Sequence, residues 1–300
     1  MWILCAFASA FFLGIYDVNN KLSLRGNAVI PVLFLNTLFC SLIFLPAFLL
    51  SRFAPEKIQG SLFYMADIDW HTHLNILLKS VIVLISWSSG YVAIKNLPIT
   101  VVGPVKATQP AFVLLGALLL FGEQLNIWQI FGITVAITCF FLYSMVGKKE
   151  GIFFLSNKWI LFLLISILSG AVSGLYDKYL MRQFDRMAVQ FWYTFYQIFM
   201  MLPILFIFWY PKRKNSAPFQ FRWTILCISF FLCLSDFLYF YALSLPDSMI
   251  SVVSVVRRSG TIVSFLAGAL FFHEKNIKTK ALVLIGVLFG MFLLYLGSRT

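Results

Sequence analysis

Of 300 residues, 61% are hydrophobic and 11% charged, whereas a soluble domain carries about 25% charged and roughly 45–50% apolar residues. With a mean hydropathy of +0.91, the chain is an integral membrane protein, and at this length nearly all of it is membrane. The 23 Lys and Arg against 11 Asp and Glu fit anchors beside anionic lipid. No basic stretch carries the interleaved stacking residues that a nucleic-acid groove needs, so no nucleic-acid partner is expected.

A span needs about 20 mainly apolar residues. Ten stretches qualify in chain order: 2–22, 28–50, 74–95, 99–121, 126–146, 158–180, 187–210, 223–243, 248–272 and 279–297. Only 51–73 and 211–222 are sizeable polar loops, punctuated by Pro55, Gly60, Pro211 and Pro218. Ala8-Ser9-Ala10 has the form of a signal-peptidase site, but no basic segment precedes it and the apolar run continues to Gly14, so 2–22 reads as a span. Cys5, Cys40, Cys139, Cys227 and Cys233 all sit in apolar runs and read as small buried hydrophobes.

Three stretches repeat. VVGPVKATQPAFVLLGALLLFGEQ from Val101 recurs without a gap as VVSVVRRSGTIVSFLAGALFFHEK from Val252, which superimposes Glu123 on Glu274 and Lys106 on Arg257. Gly14-Ile15-Tyr16-Asp17 matches Gly174-Leu175-Tyr176-Asp177, and the segment from Tyr91 to Pro98 matches that from Tyr239 to Pro246. The expected fold is therefore all-α, with ten transmembrane helices as two five-helix repeats, residues 1–148 and 152–300. Five is odd, so the second repeat enters from the other side and lies inverted. Inverted repeats place a pseudo-two-fold axis in the membrane plane and a site near its middle.

With these motifs the chain resembles the EamA-type branch of the drug/metabolite transporter superfamily. The resemblance spans the whole chain and rests locally on Leu120-Phe121-Gly122-Glu123-Gln124-Leu125 with Gln129 and Gly132, on Phe271-Phe272-His273-Glu274 with Gly286, and on Pro110 in span four. It implies a secondary carrier of small metabolites working by alternating access, with no enzyme activity, cofactor or ATP-binding module. The sequence has no G-x-x-x-x-G-K-[ST] loop. The implied partners are a small-molecule solute, the bilayer, and a proton or counter-substrate, in the inner membrane of a bacterium. Monomer and homodimer both stay open. Triose-phosphate and nucleotide-sugar carriers, distant relatives, are similar in using basic residues on these two helices, which favours a carboxylated or phosphorylated solute such as an amino acid, an organic acid or a phosphorylated compound.

Orientation has two readings. Thirteen basic residues follow odd-numbered spans and six, Lys79 among them, lie on the other side. The positive-inside rule then puts both termini outside, whereas the resemblance implies cytoplasmic termini.

Lys106 lies eight residues past Pro98 and Arg257 eleven past Pro246, about 12 and 16 Å along a helix. Both therefore sit near the middle of a ~30 Å hydrocarbon core, where a cation faces a partner, a wet cavity or an anionic ligand. Lys106, Arg257 and Arg258 are the candidate anion-binding residues, with a structural salt bridge to Asp236 as the alternative. Asp236 overlays on Ser88 and breaks the repeat symmetry; it reads as counter-ion to one arginine, or as a proton site coupling transport. Asp17 and Asp177, near span ends, are candidate gate residues pairing with Lys21, Lys178 or Arg182, or plain interfacial acids. Tyr91 and Tyr239 line the cavity or simply pack. Glu123 and Glu274 read as caps of spans five and ten.

Asp67, Asp69, His71 and His73 alternate, which would put all four on one face of an extended segment. No metal is expected there, and three histidines in the whole chain give no readable catalytic set. The rival reading is a membrane-embedded enzyme or lipid-head-group translocase that uses the 51–73 loop. A carrier of cationic drugs is disfavoured by the excess of intramembrane cations over acids.

Overall fold

The computed structural model describes residues 2–121, 157–214, 217–245, 248, 250–271 and 276–297, with scattered residues of 126–142. The first repeat contributes α1 (Trp2–Leu24), α2 (Val29–Phe53), a single turn α3 (Pro55–Ile58), α4 (Trp70–Asn96), α5 (Ile99–Lys106) and α6 (Gln109–Phe121). The second contributes α7 (Lys158–Gln183), α8 (Arg186–Ile204, continued by a π-helical turn Leu205–Trp209), α9 (Trp223–Ser244), α10 (Ile250–Arg258), α11 (Thr261–Leu270) and α12 (Ile277–Gly297). Among the described residues, nine segments are long and apolar enough to cross a membrane. The fifth expected span, 126–146, lies largely outside the described residues, and so do Glu123 and Glu274 with their expected caps.

Local signals set the helix starts. Asp69, Asn157 and Asp185 precede α4, α7 and α8, and each side chain accepts a backbone N–H of the first turn: Thr72 at 3.0 Å, Trp159 at 2.9 Å and Ala188 at 2.8 Å. The asymmetry around each helix sets its facing. On α7, Leu161, Ile165, Leu168 and Val172 form an exposed stripe, and on α12 so do Leu282, Ile285, Phe289 and Phe292. Large apolar side chains thus meet lipid, while small and polar ones such as Ala6, Ser9, Ala10, Gly14 and Asp17 of α1 are buried. Helices in a bilayer gain nothing by hiding leucine from lipid, so close approach and interhelical hydrogen bonds hold them together.

The repeats interleave. α1 lies along α9, α4 along α7 and α2 along α8, so every one of these contacts joins the first repeat to the second. Two reciprocal serine pairs mark the symmetry. Ser9 and Ser235 each donate to the other's carbonyl oxygen (2.8 and 2.9 Å), joining α1 to α9. Ser86 and Ser166 do the same at 2.8 Å in both directions, joining α4 to α7. Trp2 of α1 and Tyr295 of α12 pack against one buried cluster with Ile76 and Leu180, which places the outer ends of α1 and α12 at one face, here the terminal face.

Charge divides unevenly between the faces. Among the described residues the terminal face carries Arg52, Lys57, Arg182 and Arg186 with Glu56, Asp67, Asp69 and Asp185. The opposite face carries Lys21, Arg25, Lys95, Lys158, Lys212, Arg213, Lys214, Arg222, Lys278 and Lys280, and no described carboxylate.

Candidate functional site

Spans four and nine, expected as continuous helices, are each broken in mid-membrane. α5 ends at Lys106 and α6 starts at Gln109, with Thr108 N–H donating to Val105 O (3.2 Å) in a tight turn. Pro104 and Pro110 flank the break, and a proline offers no N–H to the preceding turn. α10 ends at Arg258 and α11 starts at Thr261, with Ser259 N–H donating to Val256 O (3.0 Å). No proline marks this second break. Gly260 does, because it packs on the Ala10 carbonyl so closely that a Cβ would collide with it. A Cβ on Gly14 would stand 2.5 Å from Gly260 O, and one on Gly268 2.6 Å from Thr100 Cγ2. These glycines let α1 seat on the second break and α5 cross α11 antiparallel, so the two breaks and their cations face each other.

A cavity of about 150 Å³ opens at this crossing. Its walls hold the cations Lys79, Lys106, Arg257 and Arg258 and the carboxylates Asp17, Asp177 and Asp236, one positive charge in excess. Lys106 Nζ lies 3.2 Å from Asp17 Oδ1. Lys79 pairs with Asp177 and Arg257 with Asp236. Tyr193 donates its hydroxyl to the second Asp236 oxygen at 2.8 Å, and the Arg257 guanidinium stacks 4.0 Å from the Tyr239 ring centroid. Lys79 is further held by the Tyr193 and Phe240 rings, at 4.9 and 5.1 Å from their centroids. Arg258 differs from these three, since it donates to the neutral Gln109 Oε1 at 2.5 Å. A Cβ at Gly170 would stand 3.1 Å from the Gln109 amide, so this glycine makes room for the pair.

The eight candidates from the sequence (Asp17, Tyr91, Lys106, Asp177, Asp236, Tyr239, Arg257 and Arg258) all line this one cavity. Asp17 and Asp177 are not at span ends. α1 continues seven residues past Asp17 and α7 six past Asp177, so both carboxylates sit about 9–10 Å inside their helices, toward opposite faces. Asp177 takes Lys79 as a partner. Lys79, a loop-side cation by the charge count, lies inside a helix instead: α4 begins at Trp70, four residues before the expected span, which puts Lys79 about 14 Å along it. It is 2% exposed. The N-cap Asp69 three residues before Thr72 was the available signal.

The loop cluster is dispersed. Asp67 pairs with Arg52, and His73 Nδ1 lies 2.5 Å from the Tyr196 hydroxyl. Asp69 caps α4, and the two hydrogen bonds from Thr72 hold its carboxyl below the usual carboxylate range. His71 and His73 are already on α4, where two residues turn through about 200°; the single face expected from alternation does not form. Among the described residues no group of three metal-ligating side chains is found.

Two interleaved, inverted repeats around a charged mid-membrane cavity between broken helices are the architecture of a membrane transporter. The family model of the EamA-like transporter family matches residues 1–145 and 157–296. The chain belongs to this family, within the drug/metabolite transporter superfamily. A solved structure described only as "Crystal structure of protein" is similar over 99% of this chain and 97% of its own, with a TM-score of 0.66 at 12% identity, a likeness of fold alone. No curated protein matches.

Proposed function

We propose that the protein is a secondary carrier that moves a small anionic or zwitterionic metabolite by alternating access, and that it is not an enzyme. The carrying observation is Arg258. Three cavity cations face carboxylates, and the fourth is held by a neutral amide, so its charge is available to a solute. Arginine offers a planar fork that matches a carboxylate or phosphate. The size of the cavity agrees. About 150 Å³ holds a benzene-sized molecule and falls short of the ~300–1,000 Å³ of drug-sized sites. The ion pairs supply both signs of charge for a zwitterion, and a solute that competes for Arg257 or Lys106 would free Asp236 or Asp17 for an ammonium group or a proton.

A thermal-shift screen of detergent-purified protein tests this. A solute at 100 times its Kd adds about 2.7 kcal/mol to the folded state. Carboxylated, zwitterionic or phosphorylated solutes of one class should raise the melting temperature, and Arg258→Gln should remove that rise. Stabilisation by cations or neutral lipophiles alone would refute the reading.

A further inference from the structure

In the register that lays Gly14–Asp17 on Gly174–Asp177, Asn20 falls on Leu180. Both are 0% exposed. Leucine fills its place with no polar atom, whereas neither end of the Asn20 amide has a hydrogen-bond partner. An unpaired amide inside a membrane is costly, so packing alone does not account for asparagine here. Its neighbour Asn19, by contrast, donates to Ile15 O of its own helix at 2.9 Å. Asn36 of α2 is fully buried as well. Its side-chain oxygen accepts from Ser229 Oγ at 3.0 Å, and its N–H2 end has no partner. Tyr91 of α4 is 1% exposed, and its hydroxyl lies against the Tyr16 hydroxyl and the Asn36 amide with no well-aligned bond to either.

These groups lie at one level. Asn20 is four residues from the end of α1, Tyr91 five from the end of α4 and Asn36 seven from the start of α2, about 6, 8 and 11 Å below the opposite face. α1, α2 and α4 each touch the other two, and Asn20 stands one turn from Tyr16 on the same side of α1. Unpaired donors dominate: two amide N–H2 groups and a phenol, against one amide oxygen. Tyr16, Asp17, Tyr91 and Lys106 line the cavity, and Asn20 and Asn36 do not. We propose that this pocket binds a halide, chloride in the cell, held by the Asn20 and Asn36 amides and the Tyr91 hydroxyl beside the Asp17–Lys106 pair. A small anion answers the surplus of donors and offsets the one positive charge by which the cavity's cations exceed its carboxylates. A metal cation would meet N–H groups and the same positive excess. The Lys106 ammonium, 3.2 Å from Asp17 Oδ1, offsets the charge of that carboxylate toward the ion. The site needs no transported solute, so it stands apart from the carrier reading.

A thermal-shift titration of the solute-free protein in detergent tests this, with sodium chloride exchanged for sodium gluconate at constant ionic strength. Chloride and bromide should raise the melting temperature as the logarithm of their concentration once the site fills, and gluconate should not. The rise should vanish in Asn20→Leu, which installs the residue that the second repeat carries at this place, and in Tyr91→Phe. It should persist in Arg258→Gln. Equal melting in chloride and gluconate, or a rise that survives both pocket variants, overturns the proposal. So does a rise lost in Arg258→Gln and kept in Asn20→Leu, which would put the halide in the solute site. Where neither pocket variant folds, radiolabelled chloride is added to Arg258→Gln. Binding that bromide displaces and gluconate does not is the expected result, and no binding overturns the proposal.

Discussion

Arg257 and Arg258 are neighbours about 100° apart on one helix, and their partners assign them unlike parts. Arg257 is locked between Asp236 and the Tyr239 ring. Arg257→Ala leaves a buried carboxylate uncompensated and should cost about 3–5 kcal/mol, measured as unfolding in detergent, whereas Asp236→Ala added to it should cost much less than the two single losses together. Arg258→Gln removes only a charge-assisted bond to Gln109 and should leave the melting temperature within a few degrees while abolishing solute-induced stabilisation. The sequence shows that Lys106 and Arg257 lie at matching depth, because the gapless repeat and the distance from Pro98 and Pro246 are local facts. It does not show their partners. Asp17 with Lys106 is a contact across 89 positions and Lys79 with Asp177 across 98, and no local pattern encodes such pairings. Lys79→Met should therefore destabilise as much as Arg257→Ala, and charge exchange in Lys79→Asp with Asp177→Lys should restore part of the loss.

At the scale of the helix, the two breaks are unequally legible. Pro104 and Pro110 announce the first. The second depends on Gly260 meeting the backbone of α1, which only the packed structure reveals. Gly260→Ala should destabilise by about 1–3 kcal/mol through overpacking, read from thermal unfolding. Gly174 has nothing within 4 Å of its Cβ position and lines the cavity, so Gly174→Ala should stabilise α7 by about 0.5–1 kcal/mol while narrowing the cavity and weakening solute binding. The reciprocal serine pairs should be worth less: Ser86→Ala should cost about 0.6 kcal/mol, the average for interhelical hydrogen bonds in membranes. The spans themselves were readable because twenty apolar residues leave a chain little else to do in a bilayer.

Over the whole molecule, duplication and inversion explain why one cavity collects charged residues from both halves. α1 on α9 and α4 on α7 are the same contact repeated through the pseudo-two-fold axis, and the crossing of α5 with α11 lies beside it. The charges do not obey that symmetry. Asp236 and Lys79 have no counterparts in the other repeat, and they place two of the three ion pairs toward the terminal face. On the proposed carrier function, a cavity with unlike ends would serve rocking of the repeats about a central site, with the pairs re-forming as each end closes. The most direct measurement is uptake into proteoliposomes of the solute identified by thermal shift. Saturable uptake by the unmutated protein, accelerated by the same solute on the far side and lost in Arg258→Gln, is the predicted result. Uptake that rises linearly with concentration, or that Arg258→Gln leaves intact, would contradict the assignment of the cavity as the transport site.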